Sequence, residues 1–137
     1  MVPKHFSHDI ESLLTRSMNP KNSLDAIQAI YALSEKKDKK QVRDALILSL
    51  QNPDLDVKMT VLEVLCNPHF LDEDILPTLK ELLDREEEEI QVQAVEMIGS
   101  IKSEKSADIL IEALKDETPR VKYGAMDALA NVGDKKA

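Results

Sequence analysis

Few side chains in this sequence are of types that carry chemistry, and spacing decides most of their cases. His5 and His8 share a helical face at i, i+3 with Asp9 beside them, the start of a metal-ligand pattern. Two imidazoles near a chain terminus without further ligands make a poor site, so no metal is expected. His69 stands beside Phe70 in a loop, with no partner in sequence reach. A lone cysteine, Cys66, cannot form an internal disulfide and fits a reducing, cytoplasmic setting. It falls in a column of small residues with Gly99 and Ala130, which reads as core packing rather than as an activated nucleophile. No catalytic residue and no cofactor are expected. The other candidates are charged: Glu63, Glu96 and Asp127 recur along the chain, as do Lys58, Gln91 and Lys122. Residues that recur need repeated elements to position them.

The repeat surfaces when the chain is slid along itself. At an offset of 64, Leu46, Ile47 and Leu50 fall on Leu110, Ile111 and Leu114, Val57-Lys58 falls on Val121-Lys122, and Leu65 falls on Leu129. A third copy lies 33 residues after the first, where Leu79, Leu83, Ile90, Ala94 and Ile98 follow Leu46, Leu50, Val57, Val61 and Leu65. Each copy holds two amphipathic segments with apolar residues at i, i+3, i+4 spacing, the mark of a helix burying one face. Breakers and caps separate them: Asn52-Pro53-Asp54, Asp84-Arg85-Glu86, and Asp116-Glu117-Thr118-Pro119. Thr118 before Pro119 suits an N-cap followed by proline at the first helical position. Pro77 falls in the first turn of a helix over Asp74 to Leu83, where a missing N–H is harmless. Second helices are expected to stop at Asn67-Pro68 and before Gly133. Phe6, Ile10, Leu13, Leu14 and Met18 open a looser first copy, closed by Leu24 to Ser34.

The expectation is an all-α single domain over 1–137, an α-solenoid of about four antiparallel helix pairs, near 5–34, 38–66, 72–101 and 104–131, with a possible fifth opening at 134. Composition agrees. Helix formers dominate, while glycine (3) and aromatics (3%) are too scarce for a many-stranded β fold. No stretch approaches the ~20 apolar residues of a spanning helix, and no signal-peptide run follows Met1.

Val57-Lys58-x-x-Val61-x-x-Val64-Leu65 and Val121-Lys122-x-x-Ala125-x-x-Ala128-Leu129-x-x-Val132-Gly133-Asp134 resemble short HEAT-like repeats of the type first described in phycobilisome lyases. The resemblance covers about residues 38 to 137 well, and the first pair loosely. The absence of tryptophan argues against a tetratricopeptide array, and Arg120 after Thr118-Pro119 against an ankyrin array. The resemblance implies that second helices line a concave side. The columns Tyr31/Glu63/Glu96/Asp127 and Lys58/Gln91/Lys122 would then run along a groove suited to a basic or extended protein segment, with Tyr31 as an aromatic anchor. The competing reading is that these charges solvate the helices or tie repeats together through surface ion pairs.

The net charge of −8 opposes nucleic acid and anionic membranes. It is uneven: residues 1–51 hold 8 basic and 6 acidic side chains, 52–101 hold 3 and 13, and 102–137 hold 7 and 7. Lys36-Lys37-Asp38-Lys39-Lys40 is a solvated basic loop, and Asp84 to Glu89 largely opens a helix. The expected function is a non-catalytic protein-interaction scaffold, with possible self-association through the C-terminal helix pair if Met126 and Val132 are uncovered. The alternative is a subunit of a bilin-lyase-like enzyme, for which only the generic repeat speaks. The His-Glu dyads that hold iron in deoxyhypusine hydroxylase are absent. Nucleic-acid binding ranks last.

Overall fold

A computed structural model describes residues 6–85, 87–115 and 118–134. Among them are eight α-helices and no strand: α1 His8–Ser17, α2 Ser23–Ser34, α3 Lys39–Ser49, α4 Leu55–Leu65, α5 Leu76–Arg85, α6 Glu88–Ile101, α7 Glu104–Ala113 and α8 Pro119–Asp134. The all-α repeat expectation therefore holds. The chain forms two compact units that divide between Phe70 and Leu71. Inside the first, α1 packs on α3 and α2 on α4; inside the second, α5 packs on α7 and α6 on α8. Each unit is thus two helical hairpins stacked in two layers, first helices in one and second helices in the other.

Local sequence sets the helix starts. Asn22, Asp38, Asp54 and Ser103 each accept a hydrogen bond from the backbone N–H three residues on, at 3.0 to 3.1 Å. Such caps satisfy donors that the helix itself cannot, and each is worth about 1 kcal/mol. Helix α6 follows Glu87 without a side-chain cap bond and leans on Glu88 and Glu89 in its first turn. A 3₁₀ turn, Glu73–Ile75, precedes α5, so the α-helix begins two residues later than the sequence suggested. Pro77 has no N–H to return to the Glu73 carbonyl, which accepts from Leu76 instead. Helix α8 starts at Pro119 as expected, yet runs through Gly133 to Asp134. Gly133 thus lies inside the helix rather than stopping it.

The core consists of the apolar columns that the repeat defines. Val57, Ile90 and Val121 are buried, as are Val61, Ala94 and Ala125, and so are Leu65 and Ile98. In the second unit the two second helices approach closely at Gly99, where an added Cβ would stand 2.6 Å from the Cβ of Ala128 and 3.1 Å from its Cα. In the first unit the tie is polar. The buried hydroxyls of Ser17 and Ser49 lie 2.6 Å apart, with the carbonyls of Leu14 and Ala45 within 2.7 and 2.9 Å to take the remaining proton. Asn52, only 1% exposed, donates to the carbonyls of Ser17 and Asn19, and its own oxygen accepts from the N–H of Asp54. Both serines and Asn52 are buried yet paired, which such groups require.

Two substitutions test these contacts. Lys102, the residue after α6, holds φ 56 and ψ 48, a conformation in which a side chain is strained. Lys102→Gly should raise the unfolding free energy by about 0.5 to 1 kcal/mol in denaturant titrations. Gly99→Ala should lower it by about 1 to 3 kcal/mol, because the obstructing atoms include backbone.

Candidate protein-interaction face

The second helices of each unit present one face to the core and one to water, and the candidate columns divide between the two. On α2, Ala29, Ile30 and Leu33 are buried while Tyr31 is 45% exposed. On α4, Val61, Leu62 and Leu65 are buried while Glu63 is exposed. On α6, Glu96 is exposed between buried Val95 and Met97, and on α8 Asp127 is exposed beside buried Ala128. Tyr31 and Glu63 therefore sit on the two packed second helices of the first unit, and Glu96 and Asp127 on those of the second.

The other column has a different environment. Gln91 is half-buried, and its Nε2 donates to the Leu83 carbonyl at 2.8 Å, which satisfies the end of α5. Its amide is committed inside the hairpin. Lys58 is half-buried and engaged within the chain, whereas Lys122 is exposed.

Some surface carboxylates are paired and others, such as Glu35, Glu89 and Glu112, are not, among the described residues. Arg16 grips Asp25 through two nitrogens at 2.7 and 3.2 Å; Lys40 meets Asp44 at 3.1 Å; Arg120 meets Glu88 at 3.4 Å. Among the described residues, the carboxylates of Glu63, Glu96 and Asp127 hold no hydrogen bond or ion pair. The reading in which this column ties repeats together through ion pairs therefore lacks the pairs it needs.

The remaining chemistry-bearing side chains are dispersed. His8 and Asp9 line an open groove between α1 and α2 of about 500 Å³ with Ser12, Leu13, Ala32 and Glu35, and Lys36 reaches Asp9 at 3.7 Å. His5 lies outside the described residues, as do Glu86, Asp116, Glu117 and the Lys135 to Ala137 end of the possible fifth repeat. Among the described residues no three histidine, cysteine or carboxylate groups converge as a metal site. Cys66 is half-buried at the end of α4 rather than enclosed in the core. His69 stacks edge-on against Phe70, with ring centroids 5.0 Å apart.

Of the pair named for possible self-association, Met126 is uncovered and Val132 is buried, and a second exposed residue of α8, Tyr123, was missed from sequence. Met126 aligns with Leu62 and Val95, both fully buried, yet is itself 56% exposed. Tyr123 is 67% exposed and aligns with Met59 and Val92, so the same column alignment could have found it.

Electrostatics distinguish the units. The Arg16 guanidinium holds Asp25 below the usual carboxylate range. Bonds from the backbone and side chain of Gln41 do the same for Asp38, and the Ser23 hydroxyl, 2.6 Å away, with the Val57 N–H does so for Asp54. All three belong to the first unit. A depressed folded pKa contributes stability above the unfolded value, near 3.9, and loses it as pH falls through the folded value. Thermal melts should therefore show the first unit losing stability below about pH 4, and the double variant Asp38→Asn/Asp54→Asn, which keeps capping oxygens, should flatten that acid limb.

Comparison with known proteins adds one finding. Residues 75–137 match the family described as HEAT repeats. No curated protein matches the chain. Among the described residues no helix is long and apolar enough to cross a membrane.

Proposed function

We propose that this chain, a member of the HEAT-like repeat family, is a non-catalytic protein-interaction module that binds a basic or extended segment of a partner through exposed residues on its second helices. HEAT repeats commonly serve as interaction scaffolds, and stacked hairpins offer long solvent-facing helix rows for that purpose. The observation that carries the reading is the set of unpaired, exposed carboxylates Glu63, Glu96 and Asp127 with the half-exposed ring of Tyr31 in the same column. Carboxylates that hold no ion pair among the described residues remain available to cations on another chain. Tyrosine adds apolar area with a polar tip, the profile of an interface anchor. Lys122 supplies an exposed counter-charge that would select against an arginine at its position, and Lys58 and Gln91 act more through the hairpins than through the partner.

Charge supports the same partner class. The first unit holds 9 basic and 9 acidic residues, the second 9 and 17, so the whole net charge of −8 resides in the second. Such a field steers basic partners and repels nucleic acid.

Tagged protein should capture one partner from native lysate at low salt and release it at high salt, since exposed charges are screened beyond ~8 to 10 Å at physiological ionic strength. Glu63→Lys/Glu96→Lys should lose that partner with an unchanged melting temperature, as exposed unpaired carboxylates contribute little to folding. Undiminished capture by the variant would rule the column out as the binding surface.

A further inference from the structure

Two positions on the second helices face water in every repeat, and in the first repeat both are apolar. Seven residues, two helical turns, separate the two positions, so they share a face. In successive repeats they hold Leu24 and Tyr31, Asp56 and Glu63, Glu89 and Glu96, and Arg120 and Asp127, all of them exposed. Glu89 and Glu96 stay exposed on α6 although α8 packs on that helix. The exposure of Leu24 and Tyr31, 68% and 45%, is therefore a property of the position and not of the lack of a neighbour. Charged residues fill the other six places, so the fold has no need of apolar side chains there. Half-buried Ile27 lies between Leu24 and Tyr31 on the i, i+3, i+7 spacing, and the three form one stripe rather than scattered single residues.

An acidic row runs beside the stripe. The Ser23 hydroxyl donates to the Asp54 carboxylate at 2.6 Å, which ties the start of α2 to the start of α4 and sets the two helices side by side in the same direction. Leu24 thus stands beside Asp56 and Tyr31 beside Glu63, at the about 8 to 10 Å of packed helices. Among the described residues neither carboxylate holds an ion pair. The only cation on α2 and α4 is Lys58, half-buried and engaged within the chain; two residues from Asp56 and five from Glu63, it is on another side of α4. Lys21 is exposed in the turn before α2.

On the reading of the chain as an interaction module, we propose that α2 and α4 bind a polyproline-type extended segment of a partner that crosses both helices. A bulky apolar side chain of the segment seats on Leu24, Ile27 and Tyr31, and an arginine or lysine three residues away meets Asp56 and Glu63. The spacing selects this conformation. A polyproline II chain repeats its side-chain direction every three residues, about 9 Å, which matches the step from α2 to α4; a β-strand at three residues would turn the second side chain away. The local charge selects the cation, since the row beside the stripe is acidic and its own helix offers it none.

The test is fluorescence anisotropy of the full chain with a labelled peptide of arginine, two prolines, phenylalanine, two prolines and arginine, which reads the same in both directions. Its controls carry serine for phenylalanine, glutamate for both arginines, or the same residues rearranged with the arginines next to the phenylalanine. The first peptide should bind about tenfold more tightly than the serine and glutamate analogues and about fivefold more tightly than the rearranged isomer. Leu24→Ser/Tyr31→Ser should erase the preference for phenylalanine over serine and keep that for arginine over glutamate; Asp56→Asn/Glu63→Gln should do the reverse. Circular dichroism melts should show both variants folded, because all four side chains are exposed. Equal binding of the rearranged isomer, or a phenylalanine preference that is absent or survives Leu24→Ser/Tyr31→Ser, overturns the proposal. If the arginine preference still depends on Asp56 and Glu63 in that case, the acidic surface stands without the apolar seat; if it does not, both readings fall.

Discussion

The second unit depends on how closely two helices can approach at Gly99. A helical hairpin of this length buries the faces between its two helices, but each helix keeps a second apolar flank that only another hairpin can cover. At Gly99 the flank of α6 is reduced to backbone, and Ala128 fits against it with no room for a further carbon. That contact fixes the register of α6 against α8. With the register fixed, Val95 and Gly99 are committed to the seam, Ile90, Ala94 and Ile98 to the hairpin core, and Glu96 to water. The exposed column is what remains once the seam and the core have claimed their residues.

The first unit solves the same stacking problem with polar atoms. Ser17 and Ser49 occupy equivalent positions in successive hairpins and meet each other, and Asn52 binds the end of α1 from the turn between α3 and α4. Directional bonds tolerate less sliding than an apolar seam, since an unmade buried bond costs more than a made one contributes. Ser23 and Asp54 extend the tie to the second helices. The cost is a dependence on ionised carboxylates: Asp25, Asp38 and Asp54 are held low by the bonds that cap and link the helices. The two units therefore differ in character, one neutral in net charge and tied by buried polar bonds, the other close-packed and strongly acidic.

The helix pairs were legible because a period of about 31 to 33 residues forces apolar residues into columns, and a column can be read without knowing its neighbours. Val57, Ile90 and Val121 are an example: all three face the hairpin core, whatever lies outside it. Met126 was harder. In the same column Val95 is buried where α8 packs on α6, a condition of the neighbour and not of the residue. Gln91 was misleading for a related reason. It aligns with two lysines and looks like a surface position, but its amide finds the Leu83 carbonyl inside the same hairpin. Tyr123 was readable in its column with Met59 and Val92, where the aligned residues are apolar. Gly133 carried a stop signal that the backbone does not use.

These distinctions bear on how an acidic repeat surface should be interpreted. Surface carboxylates in a helical array usually invite the explanation that they solvate helices or form weak ion pairs, and Glu88 with Arg120 is a case of that kind. Glu63, Glu96 and Asp127 differ from that pair in one respect: among the described residues no cation is placed against them. Placing a lysine one helical turn away on any of these helices would have sufficed to pair them, as Lys40 pairs with Asp44. Lys122 does lie on α8, but five residues before Asp127, a spacing that puts it on a different face. On these helices no basic residue stands one turn from the column, so its charges are left to water or to a partner rather than to one another's helices.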